Sequence, residues 1–366
     1  MSDLAPESFF SPDYYVARDR FVTAAQAARA TITEMRHPSA TGPGGRPLWM
    51  DLAVLGPADA TAVITMISGT HGPEGYCGSG VQTGLLLTGR AQALADRGLK
   101  VVLLHAHNPY GFAWDTRFNE DNIDLNRNYL ASFEAPLPAN PNYDAIAPHA
   151  APADRSPEAL AAAEGALLAY AAEHGFAALQ AALSGGQYNH PKGVYFGGVA
   201  PSWSHLTLKS LLSGVLEGAR RFGCIDMHTG LGPEGHGEII TESDPSSDHY
   251  RRLDSIMPGE IRSTSDGSSV SAKLVGTMDT ALVELAGNRW SAIMALEFGT
   301  VDTMTVFRAS QASSWLHVHG DRDGPDADGI RRQSRAAFYV ETDSWKRAIW
   351  NRGTEVFDRT AAALLA

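Results

Sequence analysis

The sequence predicts an α/β fold, a single domain built on a mixed, mostly parallel twisted sheet flanked by helices. Two runs, Ala62–Ile67 and Lys100–His105, are almost wholly apolar, the pattern of strands buried on both faces. Between them lie a glycine-rich loop, SGTHGPEGYCGSG, and a stretch with helical character, which together complete a βαβ unit. Further helix-patterned segments recur down the chain, enough to cover both faces of such a sheet.

In chain order, residues 8–35 carry apolar positions at helical spacing (Phe21, Ala24, Ala25, Ala28) and predict an opening helix. HPSATGPGGRP follows as a turn-rich connector. Leu48–Leu55 and Ala62–Ile67 are expected as strands. The glycine-rich loop opens a helix near Ser79–Arg97, and Lys100–His105 runs into HNPYGF. Residues 131–155, rich in Pro, Ala and Asn, are expected to be irregular surface. Ser156–Leu183 should be one long helix, with Ser156 as N-cap, Pro157 in the first turn and Gly185 past the end. Ser202–Arg220 continues as helix and Phe222–Met227 as a strand ending at His228. Ile239–Thr241 and Trp290–Phe298 are strand candidates, and about 330–365 is helical by pattern. With no repeat, low-complexity tract or convincing linker, residues 1–366 are expected to form one catalytic domain.

Composition narrows the function. The chain of 366 residues is 44% hydrophobic and carries a formal charge of -12. That charge argues against a nucleic-acid or anionic-membrane partner, which would require a basic surface. No apolar stretch approaches the ~18 residues of a membrane span. The N-terminal MSDLAPESFFSPDYYVARDRF lacks the basic and apolar regions of a signal peptide, so a cytoplasmic location is expected. Cys77 and Cys224 give no disulfide framework and are expected as buried thiols.

The chemistry concentrates at predicted strand ends, where open α/β sheets form their sites. His71 and Glu74, in H-G-P-E, can turn towards one point from a tight loop after Ala62–Ile67. His228 closes Phe222–Met227. Hydrolytic zinc takes three ligands of these types and keeps a fourth position for water. Asp226, two residues before His228, points to the same side of an extended strand. It suits either a partner to a ligand histidine or a plain strand-end charge.

NPYGFAWDTRFNEDNIDLNRNY contributes Arg117, Asn126 and Arg127, and arginine forks suit a carboxylate. Arg127 is equally suited to pair with Glu120, Asp121 or Asp124. Glu297 stands in the apolar run MALEFGT. There, burial would raise its pKa towards the range of a general base, unless backbone amides simply satisfy it.

These motifs taken together (GTHGPEG, HNPYGF…DTR…DLNRNY, GGQYNHPKGVYFGG, DMHTG and ALEFGT) resemble the zinc carboxypeptidase superfamily of M14-type metallopeptidases. Within it they are most similar to the bacterial DUF2817 branch. The resemblance runs in order across 71–297. It implies a zinc-carboxypeptidase-like fold and one zinc ion per chain on His71, Glu74 and His228. It further implies that Arg117 polarises the scissile carbonyl, that Asn126 and Arg127 grip the substrate's terminal carboxylate, and that Glu297 deprotonates the metal water. Tyr250 and Tyr188 are the candidates for a substrate-capping tyrosine, neither with a supporting motif.

The expected activity is that of a metallocarboxypeptidase on small peptides. Only nine positions separate Arg117 from Asn126. This compact spacing is more like the aspartoacylase and succinylglutamate desuccinylase branch, which makes an N-acyl amino acid deacylase the alternative. His236, Glu238 and Asp226 leave room for a second metal.

Overall fold

The computed structural model describes residues 4–366. Met1–Asp3, with which the expected domain begins, lie outside the described residues. One eight-stranded sheet takes its strands from Thr31 to Gly299, in the order β1-β2-β4-β3-β5-β8-β6-β7. These are β1 (Thr31–Thr41), β2 (Pro47–Leu55), β3 (Ala62–Ile67), β4 (Lys100–His105), β5 (Arg221–Glu234), β6 (Gly237–Thr241), β7 (Ile261–Ser263) and β8 (Trp290–Gly299). The central pairs β4–β3–β5–β8 are all parallel; β1–β2, β2–β4 and β6–β8 are antiparallel.

Between the strands run α1 (Tyr14–Ala27), α2 (Gly75–Leu87), α3 (Arg90–Ala95), α4 (Pro109–Trp114), α5 (Pro141–Ala150), α6 (Pro157–His174), α7 (Phe176–Ser184) and α8 (Trp203–Val215). They continue as α9 (Asp248–Ile256), α10 (Met278–Ala286), α11 (Thr303–Val318), α12 (Ala327–Phe338) and α13 (Asp343–Leu365).

Strand alternation sorts the core into two layers. Ile64, Met66, Val101, Leu103, Ile225, Met227 and Met294 face one way and pack with residues of α1, α2 and α13. Val63, Ile67, Val102, Leu104, Phe222, Cys224 and Ile293 face the other way, against α8 and α10. Both cysteines are free and buried. Among the described residues no helix is long and apolar enough to cross a membrane.

Several expected boundaries are corrected. The opening helix over 8–35 is confined to α1, because Asp13 caps it by accepting from the Tyr15 and Val16 amides and Arg29 leaves it at φ 58. The chain then enters β1, which the sequence hides: an edge strand, mostly exposed and interrupted by Pro38, has little alternation to display. The first five residues of the expected connector, His37–Thr41, belong to this strand, and the turn itself follows at Gly42–Arg46. The helix expected at Ser79–Arg97 starts four residues earlier and breaks at Gly89 (φ 73) into α2 and α3. Ser156–Leu183 is likewise two helices, divided at Gly175 (φ 92). Residues 131–155 are not wholly irregular, since α5 is capped there by Asn140.

Candidate active site

The site forms where the chain leaves β3 and beside the carboxyl-terminal halves of β5 and β8, on the side covered by α10; β5 does not end at His228 as expected but runs on to Glu234. His71 and Glu74 occupy the loop between β3 and α2, and the loop's tight course depends on glycine. A Cβ on Gly72 would lie 2.0 Å from the Gly111 carbonyl carbon and 2.2 Å from the Thr116 carbonyl oxygen. Both contacts are backbone and neither can swing aside. Gly72→Ala is therefore expected to destabilise the fold by about 3 kcal/mol, as overpacking does, and thermal unfolding would measure it.

His228 lies on β5, and the parallel register sets Glu297 of β8 directly beside it, with Asp226 beside Ala295. The same face thus presents His228, Asp226 and Glu297. Glu74 gathers the cluster: its Oε1 lies 2.9 Å from His71 Nδ1, its Oε2 lies 3.0 Å from His228 Nδ1, and Oε2 also accepts from the Thr229 amide. His71, Glu74 and His228 are all buried, and one ligand atom from each falls within 4.8 Å of the others. Among the described residues this is the one group so arranged. The second metal left open at His236, Glu238 and Asp226 has no such cluster, since Glu238 is engaged by Ser269 and the Val270 amide.

Each ring turns its other nitrogen to a carboxylate: His71 Nε2 lies 3.0 Å from Asp124 Oδ1 and His228 Nε2 lies 2.5 Å from Asp226 Oδ2. Asp226 thus takes the partner role, and Asp124 is its counterpart on the other histidine. The sequence concealed Asp124 among four acidic residues spanning Asp115–Asp124.

Burial pushes the Glu74 carboxyl up, but the adjacent His71 and His228 outweigh burial and hold it below the ordinary range. Burial opposes charge on His228, yet Asp226 and Glu74 raise its pKa well above the usual value.

Glu297 behaves differently. Burial, reinforced by the Glu74 charge, raises it to about 7. Its Oε1 accepts the Leu231 amide, while its other oxygen has no partner among the described residues.

Arg117 donates from Nε to Asp124 and from Nη1 to Glu74, at 2.9 and 3.1 Å, which ties it to the ligand cluster. Arg127 is nearly sequestered. Its Nε and Nη2 donate to the Ser184 carbonyl and its Nη1 to the Asn126 carbonyl, with Asp124 4.0 Å away. Asn126 Oδ1 accepts the Met278 amide at the start of α10, which leaves its NH2 as the group available to a ligand.

All seven of the singled-out residues line one open cleft of about 1100 Å³, whose apolar wall includes Phe176, Leu179, Met304 and Phe307. Neither tyrosine candidate reaches this cleft: Tyr188 donates to the Arg127 carbonyl and Tyr250 to that of Ile261. Tyr195 does reach it, its ring 5.5 Å from the Arg117 guanidinium carbon. It sits at φ 56 within the glycine-rich GVYFGG, where nothing in the pattern marks it.

The family model described as DUF2817, protein of unknown function, matches residues 10–352. No curated protein matches the chain in sequence. Among solved structures it is similar to bovine thrombin-activatable fibrinolysis inhibitor in complex with tick carboxypeptidase inhibitor, at 10% identity and TM-score 0.49 over 97% of each chain. Carboxypeptidase A from Helicoverpa armigera is similar at 10% identity and TM-score 0.45, over 96% of this chain and 73% of that one. A succinylglutamate desuccinylase from Silicibacter sp. is similar at 13% identity and TM-score 0.40, over 80% of this chain and 65% of that one.

Proposed function

The chain belongs to the DUF2817 family, and from that premise we propose that it is a zinc-dependent hydrolase of amide bonds next to a free carboxylate, acting as a metallocarboxypeptidase on small peptides. One observation carries the reading. Two imidazole Nδ1 atoms and a carboxylate converge from the loop after β3 and from β5, and strand register sets Glu297 beside His228 in the same cleft.

The donor set fits zinc: two neutral-capable imidazoles and one carboxylate, each ring backed by a second carboxylate. A zinc ion on His71, Glu74 and His228 would lower the pKa of its water towards ~7 and stabilise developing oxyanion charge. Glu297, through its free oxygen, takes the proton of the attacking water and returns it to the leaving amine. Arg117, held by Asp124 and Glu74, presents positive charge where the carbonyl oxygen becomes negative. The Asn126 NH2 and the buried Arg127 charge receive the substrate carboxylate.

Glu297 acts only when ionised, so activity is expected to fall as pH drops through its pKa. The metal-free value is about 7, and a neighbouring dication favours the carboxylate form, so the acid limb of kcat/KM should lie at or below that pH. A pH–rate profile with zinc held saturating checks it; activity still rising above pH 8 would contradict the assignment of the limb to Glu297.

The apolar cleft wall favours a second reading, N-acyl amino acid deacylation, with the acyl group against Phe176, Leu179 and Met304. Dipeptides assayed beside N-acetyl and N-succinyl amino acids separate the two. A carboxylate-blocked analogue should be inert under either.

A further inference from the structure

Behind the ligand cluster, away from the cleft, runs a chain of polar side chains that the proposed reaction does not use. Thr70 Oγ1 donates to Asp226 Oδ1 at 2.8 Å, on the oxygen that His228 leaves free. His107 Nδ1 lies 3.4 Å from Thr70 Oγ1, and the Tyr129 hydroxyl lies 2.7 Å from His107 Nε2. All five residues are buried. They come from four places in the chain: the loop after β3, the segment after β4, the segment following the turn Leu125–Arg127, and β5 itself.

The donor direction at the Asp226 end of this chain is determined. A hydroxyl has one hydrogen, and Thr70 gives it to Asp226, so towards His107 it can only accept. With its proton on Nδ1, His107 donates to Thr70 and its Nε2 accepts from Tyr129; this tautomer is part of the proposal below, and the imidazole spectra test it. Burial, with help from the neighbouring histidines, lowers His107 to about 3, so the ring is neutral and has one proton to place. At the other end, Asp226 accepts from His228 Nε2, which leaves His228 Nδ1 as the ligand atom. Tyr129 is itself fixed by stacking on His205, with ring centroids 4.2 Å apart, and His205 Nδ1 is bound to the Asn128 carbonyl.

We propose that Tyr129, His107 and Thr70 are positioning residues: their hydrogen bonds fix Asp226, and through it present His228 Nδ1 to the metal. The proposal rests on the zinc reading above. Unpartnering Asp226 Oδ1 should therefore weaken metal binding even though none of the three residues touches the metal. Outer partners of ligand histidines are typically worth ~10–100-fold in affinity.

The test is the zinc dissociation constant of the folded, metal-stripped protein, measured by competition with a chromophoric chelator. The variants are Thr70→Val, Thr70→Ser and Tyr129→Phe, alongside ¹⁵N-imidazole spectra of the wild type. Thr70→Val, nearly isosteric but with no hydroxyl, should bind zinc at least ~10-fold more weakly. Thr70→Ser restores the hydroxyl and should lie within about threefold of wild type, a rescue that a packing role would not produce. Tyr129→Phe should weaken zinc by roughly threefold or more.

Wild-type zinc affinity in Thr70→Val, equal losses in Thr70→Val and Thr70→Ser, or no change in Tyr129→Phe would each overturn the relay. Should Thr70→Val fail to fold, Tyr129→Phe decides. If the wild type bound no zinc, the functional reading would fail, and the spectra would still judge the relay: a His107 proton on Nδ1 supports it, whereas a proton on Nε2 overturns it.

Discussion

Glu297→Gln is expected to keep one equivalent of zinc and lower kcat by ~10²–10⁴-fold, the usual scale for loss of a general base. Glutamine has the same shape, and its carbonyl oxygen can still accept the Leu231 amide that Oε1 accepts now. It cannot take a proton from water, and its position in register with His228 stays as it is. The loss should therefore fall on kcat with KM little changed, which separates a proton-transfer role from a binding one. Steady-state kinetics beside metal analysis of the same sample checks both halves, and a variant retaining wild-type kcat would remove Glu297 from the mechanism.

The other large effect is expected at Glu74. Its carboxylate touches His71, His228, Arg117 and the Thr229 amide, and the two histidines are the other proposed metal ligands. Glu74→Ala should abolish stoichiometric zinc binding and also destabilise the metal-free protein by about 3–5 kcal/mol, the scale for removing one partner of a buried ionic cluster. The sign follows from the pKa direction. A carboxyl held below its ordinary value contributes stability above the unfolded-state value of about 4.5 and loses it as pH falls. The gap between wild type and Glu74→Ala in urea unfolding of stripped protein should therefore narrow as pH is lowered from 7 towards 3.

Much of this was legible in the chain because the site lies at strand ends. Ala62–Ile67 and Lys100–His105 are uniformly apolar because both faces of β3 and β4 are covered, and the structure gives them the same bounds. His71, Glu74, His228 and Glu297 stood out because polar residues at the ends of such runs are conspicuous, and all four meet in one cleft.

What stayed hidden depends on three-dimensional partners. Nothing in DTRFNEDNIDLNRNY distinguishes Asp124 from Glu120 or Asp121; only the fold brings it to His71 Nε2. Thr70 and His107 read as ordinary loop residues until β5 is laid beside β3. Tyr195 is exposed to the cleft by a left-handed backbone that no periodicity announces. β1 was missed because an edge strand with little buried surface need not alternate, and the helix breaks at Gly89 and Gly175 depend on single backbone angles.

The most direct test is to strip the protein of metal and titrate zinc back while following hydrolysis of a carboxylate-bearing dipeptide and an N-acyl amino acid. Turnover of at least one of them should rise in proportion to bound zinc and level off at one equivalent per chain. Activity that is present without zinc, or protein that takes up no zinc at His71, Glu74 and His228, would contradict the assignment.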